Sequence, residues 1–192
     1  MNRKYLIIII LIIAALGLSI GLLDNKDVQG GAQKHQAGNN RQSFGRIETQ
    51  VNTFLNKCNN GKSTFTEKSA DANQESSEGG TITGYFDGSK LMFIESNFFG
   101  ETGQIKHEVY FINNSLSYLA TTEMKYDKPI TIPDSKVVQE VKTEYVIIDN
   151  QPNLYDKTAK KIIPAKDTKD ILKMIDSMRK PITNTANNVK DQ

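Results

Sequence analysis

Two segments of the chain repeat apolar residues at the spacing of an amphipathic helix. In the first, apolar side chains recur at steps of three and four residues: Phe44, Ile47, Val51, Phe54, Leu55 and Cys58. Such steps place them on one face of a helix. Ser43 can cap this helix and Gly61 follows its end, so the pattern predicts a helix over 43–58.

The second helical pattern lies near the end of the chain. Its apolar stripe consists of Ile171, Leu172, Ile175 and Met178. Asp167 or Thr168 can cap this helix, and Pro181 is expected to end it.

Between the two helical patterns, aromatic and β-branched segments alternate with turn residues. Asp, Asn and Gly pairs at 87–88, 113–114 and 149–150 tolerate the positive φ of tight hairpins. We therefore predict three hairpins, with about six strands near 81–86, 90–98, 105–112, 116–126, 138–148 and 153–157. The expected links between hairpins are 99–103 and 127–135, and the second link contains two prolines.

These elements predict an α+β fold. We expect an antiparallel β-meander of about six strands, with one or two amphipathic helices packed on one face. The polar segment 66–80 is expected to be a loop.

The first 23 residues have the pattern of an export segment. Arg3 and Lys4 precede an uncharged apolar run from Tyr5 to Leu23. Ser19 and Gly21 suit cleavage by a signal peptidase, whereas the length of about 19 apolar residues suits an uncleaved membrane anchor. The sequence leaves both alternatives open, and both place the rest of the chain outside the cytoplasm.

The remaining chain divides into three predicted parts. Residues 24–40 are polar and rich in Gly and Gln, which is typical of a flexible spacer. Residues 41–182 form a single predicted domain, and residues 183–192 a predicted disordered tail.

Composition narrows the partners and cofactors. Lys and Arg number 24 against 22 Asp and Glu, and Arg3 and Lys4 account for the excess, so we expect no nucleic-acid partner. A single Cys excludes an internal disulfide and any site with several Cys ligands. We expect no metal and no cofactor.

The stretch from about 84 to 156 resembles a group of uncharacterised exported bacterial proteins that repeat a hairpin of aromatic residue, turn and Leu. The segments that carry the resemblance are 85–91, 100–103, 110–116, 126–130 and 140–154. The resemblance implies an exported module rich in β-structure, and it implies no activity.

Catalytic patterns are weak throughout the chain. One candidate is His107 with Glu95 or Glu123, or with Cys58 as a nucleophile, but Cys58 lies on the apolar helix stripe and is expected to pack in the core. Carboxylates on adjacent strands suggest a hydrolase of an envelope polymer. The Lys residues between them favour cross-strand ion pairs instead.

An aromatic surface is the candidate for partner binding. Phe98, Phe99, Tyr118 and Tyr126 are its predicted members. The export pattern and the resemblance together lead us to expect an exported or membrane-anchored protein of the bacterial envelope. With the aromatic surface, the simplest interpretation is a non-enzymatic module that binds a protein or a cell-wall component. An uncleaved segment 5–23 would hold it in the inner membrane. The alternatives are the hydrolase and a structural subunit of an envelope complex.

Overall fold

The computed structural model describes residues 33–72, 76 and 78–184, with side chains from residue 43 onward. Within this range the chain forms two α-helices, one short 3-10 helix and eight β-strands. In chain order they are α1 (Gln33–Gly61), the 3-10 helix (Lys62–Thr64), β1 (Thr66–Asp71), β2 (Gly80–Asp87), β3 (Lys90–Gly100), β4 (Gly103–Phe111), β5 (Leu116–Tyr126), β6 (Val137–Ile148), β7 (Gln151–Asp156), β8 (Lys161–Pro164) and α2 (Thr168–Asn184).

The strands form one antiparallel sheet in which every strand pairs with its neighbours in sequence, from β1 to β8. Tight turns allow this meander. Asp149 and Asn150 have φ of 49° and 62° between β6 and β7, and Gly88 has φ of 61° between β2 and β3. A two-residue turn with both φ positive matches the right-handed twist of the strands that it joins.

Helix α1 covers one face of the sheet, along a row of rings that we call the aromatic row (Tyr85, Phe93, Tyr110 and Tyr118). Neighbouring rings have centroids 4.2, 5.1 and 6.0 Å apart along the row. The four side chains are buried in one cluster with the apolar stripe of α1, including Val51. Cross-strand ring contacts of this kind add to the stability from apolar burial.

Helix α1 runs across the strands. About eleven residues into α1, the Phe44 ring stacks on Tyr155 of β7 with ring centroids 5.2 Å apart. Just after the end of α1, Lys62 Nζ lies 4.6 Å from the centre of the Tyr85 ring in β2. Eighteen residues of helix measure roughly 27 Å, and five strand spacings measure roughly 24 Å. The part of α1 from Phe44 onward therefore matches the width of the sheet between β2 and β7.

Helix α2 covers the opposite face. Its buried residues are Ile171, Ile175, Met178 and Ile182. They share a cluster with Ile82, Ile94 and other strand residues that alternate with the aromatic row. Since side chains alternate between the faces of a strand, the two helices lie on opposite sides of the sheet.

The α+β class and the antiparallel meander are confirmed, with three differences. Eight strands replace the expected six, because the segment predicted as a loop contains β1, which pairs with β2 from Thr66 with Phe86 to Asp71 with Thr81, and because β8 follows β7. The helices occupy two faces and not one. Pro181 does not end α2, which continues to Asn184 with Ile182 fully buried.

The ends of the chain lie outside most of this description. The predicted export segment 1–23 and residues 185–192 of the predicted tail are outside the described residues, while α1 begins at Gln33, inside the predicted spacer 24–40. None of the described helices is long and apolar enough to cross a membrane.

Candidate functional site

Three carboxylates lie beside the aromatic row on the α1 face of the sheet. Glu95 pairs directly across the strands with Glu108, Glu108 with Ala120, and Ala120 with Glu144. We call Glu95, Glu108 and Glu144 the carboxylate row. These three residues are among the carboxylates on adjacent strands that the sequence suggested as the site of a hydrolase.

At one end of the carboxylate row, Lys62 and Tyr85 hold Glu95. The Lys62 ammonium bonds both carboxylate oxygens at 2.8 Å, and the Tyr85 hydroxyl donates at 3.0 Å. Burial alone would lower the pKa of Lys62, but the bonds to Glu95 outweigh it and the net shift is upward. In the middle of the row, Lys106 lies 3.5 Å from Glu108.

The other end of the carboxylate row repeats this arrangement. Nζ of Lys157 lies 2.8 Å from Oε1 of Glu144, and Nζ of Lys142 lies 3.7 Å from the same oxygen. The Tyr118 hydroxyl donates to Glu144, and burial raises the pKa of Tyr118 far above its usual value. Burial acts to raise the pKa of Glu144, but the bonds from Lys157 and Tyr118 reverse this and lower it.

Each carboxylate of the row therefore has a lysine partner, but these lysines lie on the same strand, in the 3-10 helix or in the turn after β7, and not on a neighbouring strand as the sequence predicted. The two best-formed depressions on the described surface lie elsewhere: one of about 300 Å³ beside Phe54 of α1, and one of about 540 Å³ between Glu48 and the turn before β8. Glu48 is the only carboxylate that lines either of them. Neither of these two depressions brings together a pair of carboxylates, as glycoside hydrolysis would need.

The sheet separates the predicted pair Cys58 and His107. Cys58 is fully buried on the α1 face, where burial raises the pKa of its thiol to about 11, so the predicted core position is confirmed. His107 is 6% exposed on the α2 face, where burial lowers its pKa to about 4. Its Nδ1 lies 2.9 Å from Oγ1 of Thr121, and Glu95 points to the opposite face.

The predicted aromatic surface does not form one patch. Tyr118 is 2% exposed within the aromatic row, so its ring is not available to a partner. Phe98 lies on the α2 face against the ring of His107 at 5.6 Å. Phe99 and Tyr126 both lie on the α1 face beside Gln104, and both are half-buried. Phe99 pairs with Gln104 across the strands, and the Tyr126 hydroxyl donates to Oε1 of Gln104 at 3.0 Å.

The most exposed apolar residues of the sheet lie on β6 instead. Residues Val137, Val138 and Val141 are 44%, 60% and 44% exposed. They belong to the part of β6 that extends past β7, because β7 pairs with β6 only from Tyr145 to Ile148. We call residues 137–143 the β6 overhang.

Among the described residues, no strand pairs with the outer side of the β6 overhang. The Asp149 N–H donates to the Ser115 carbonyl at 2.8 Å, which sets the odd-numbered residues of β6 to bond with β5. The even-numbered residues point outward, toward β7 where β7 is present. Glu140 and Lys142 therefore offer their N–H and C=O groups to no strand in the described part of the chain.

The sequence contained a signal for this edge that composition did not reveal. A predicted strand at about 138–148 is about twice as long as its hairpin partner at about 153–157, so part of it must lack a neighbour. The three valines of the β6 overhang are β-branched residues that suit a strand. An open edge with apolar side chains is a template for another strand.

Comparison of the chain with models of protein families, with curated proteins and with solved structures found no match. Within the described residues, no group of three or more His, Cys, Asp or Glu side chains is placed to hold a metal ion. The functional argument therefore depends on the geometry of the sheet.

Proposed function

We propose that this protein is a non-enzymatic binding module of the bacterial envelope, which takes up an extended strand of a protein partner along the β6 overhang. The observation that carries the proposal is the coincidence of exposed valines with unpaired backbone groups on β6. Backbone hydrogen bonds would supply affinity and the flanking side chains would supply specificity, as in other cases of strand addition.

Two further features support a binding role. Glu95 and Glu144 of the carboxylate row each bond a lysine and a tyrosine, and Glu108 has Lys106, which supports ion pairing over acid–base chemistry for this row. The β6 overhang is also continuous with Tyr126, because Tyr126 pairs with Val137. A partner strand on the outer side of β6 would then be separated by one strand, β6 itself, from Tyr126, which the sequence predicted for binding.

The location in the envelope is part of the same proposal. It is supported by the positive and then apolar pattern of residues 1–23. A reporter enzyme that is active only outside the cytoplasm, fused after Gln192, should be active. If this fusion is inactive, and a fusion at the same position to a reporter that works only in the cytoplasm is active, the proposed location is contradicted.

Site-specific photo-cross-linking in intact cells tests the binding edge. A photoreactive residue at Lys142 should give a discrete cross-linked protein product, and one at Lys90, an exposed end residue of β3, should give none. Cross-links from position 90 without cross-links from position 142 would contradict the proposal.

A further inference from the structure

The β6 overhang is complementary to itself. We propose that the strand that it takes up is the β6 overhang of a second copy of this chain, paired antiparallel about a two-fold axis at Val141. This inference rests on the proposed function, because it names the partner of the same edge.

The backbone limits the possible registers of such a pair. Two antiparallel residues exchange hydrogen bonds only when both point their peptide groups at the partner strand. In the β6 overhang those residues are even-numbered, so Glu140 and Lys142 must each face an even-numbered residue of the copy. This condition excludes half of the registers before side chains are considered.

Charge then selects one of the remaining registers. With the axis at Val141, Glu140 of each copy faces Lys142 of the other, which gives two pairs of opposite charge. An axis one residue earlier sets Glu140 against its own counterpart, and an axis one residue later does the same with Lys142. Like charges directly opposite each other destabilise a strand pair.

The limits of the free edge give the same centre independently. A β-bulge interrupts the pairing with β5 at Val138, because Lys125 pairs with Gln139 and Tyr126 with Val137. At the other end, β7 pairs with β6 from Tyr145 onward. The regular free segment is therefore 139–143, and its middle residue is Val141. The bulge therefore ends the regular pairing of the copy's strand at Gln139, which faces Thr143 and not the residues that pair with β7.

The side chains at the axis favour the same pairing. Val141 is 44% exposed on the α2 face of the sheet, and in this register it faces its own counterpart. The β-carbons of such a pair lie about 4.5–5.5 Å apart, which lets both valines bury apolar surface. A two-fold interface of this kind is closed, because each copy uses its β6 edge once.

Disulfide trapping of the full-length chain tests the inference. After mild oxidation of cell membranes or extracts, Val141→Cys should form a disulfide-linked homodimer, because only this position meets itself across the axis. Gln139→Cys faces Thr143 and should form no homodimer alone, but co-expressed Gln139→Cys and Thr143→Cys chains should be linked. The native Cys58 is fully buried and serves as the background in every variant.

Charge reversal supplies the matched control. Lys142→Glu or Glu140→Lys in the Val141→Cys background should lower the yield of linked dimer about tenfold, since two attractive pairs become repulsive. The double reversal restores both opposite-charge pairs and should restore the yield.

The outcomes separate this inference from the proposed function. A disulfide from Val141→Cys to a different protein, or a homodimer that forms best through another position, would overturn the two-fold pairing while the open edge remains a binding site. No linked product from any position of 139–143, together with no cross-link from Lys142 in cells, would overturn both.

Discussion

A β-carbon on Gly84 would overlap Cγ2 of Ile182, so the close packing of α2 on β2 requires glycine at this position. Ile182 is fully buried and comes after Pro181. The fit between Gly84 and Ile182 therefore explains why α2 continues past a proline that was predicted to end it: burial of the last turn outweighs the lost backbone hydrogen bond.

Gly84→Ala should destabilise the fold by about 1–3 kcal/mol, because the added methyl forces Ile182 away from its buried position. Gly45→Ala is the matched control. A β-carbon at Gly45 meets nothing within 4 Å, and alanine in α1 should stabilise by about 0.5–1 kcal/mol. Urea unfolding followed by circular dichroism measures both changes, and equal effects of the two substitutions would contradict the packing of α2.

The ion pair between Lys62 and Glu95 should contribute measurably to stability. A double-mutant cycle with Lys62→Met and Glu95→Gln should give a coupling of about 1 kcal/mol, since both carboxylate oxygens are bonded and Tyr85 shares the site.

The control cycle uses Lys57 and Asp87, which lie 3.9 Å apart with side chains 59% and 58% exposed. Their coupling should be close to zero because solvent screens the pair. Equal couplings in the two cycles would show that the position of Lys62 beside the aromatic row adds nothing.

Stability should fall in mild acid because of His107. Burial holds its folded pKa at about 4, below the ordinary histidine value of 6.5, so the unfolded chain takes up the proton first. The free energy of unfolding should then decrease by roughly 1.4 kcal/mol per pH unit as the pH falls from about 6.5 toward 4. Glu144, whose pKa is lowered, adds a loss as the pH falls through its folded pKa.

His107→Leu isolates the histidine contribution. Its free energy of unfolding should depend less on pH between 4 and 6.5 than that of the native chain, whatever its value at pH 7. Parallel pH profiles for the two chains would show that His107 is not buried in its neutral form.

Proline substitution should distinguish the two sides of β6. Glu140→Pro removes an outward N–H, whereas Val141→Pro removes a bond to β5 and should therefore cost about 0.5–1.5 kcal/mol more. Thermal unfolding of both variants measures the difference. The reverse order of stability would mean that the peptide groups of β6 are oriented the other way.

The sequence predicted the elements that have a strong local signal. The apolar stripes identified both helices, and the turn pairs such as Asp149 and Asn150 identified all three hairpins, because periodicity and positive φ are encoded in neighbouring residues. Strand β1 was missed because its residues are mostly polar and exposed, so only pairing with β2 makes it a strand.

The candidate site was harder to predict than the fold. The opposite faces of the two helices depend on which strand residues are even or odd in the sheet, and that register comes from long-range pairing. Tyr118 was predicted on the surface because nothing in the neighbouring sequence shows which face of β5 is covered. In the structure α1 covers that face. The β6 overhang depends on where β7 stops pairing, which is a relation between two strands.

Amide hydrogen exchange along β6 tests the central claim most directly, namely that the β6 overhang is an open edge that takes up a partner strand. In dilute solution the amides of Val141 and Thr143 should be protected by β5, while those of Glu140 and Lys142 exchange rapidly. When the partner strand binds, Glu140 and Lys142 should become protected and the alternation should disappear. Protection of Glu140 and Lys142 in the isolated chain, or rapid exchange of both in the complex, would contradict the account.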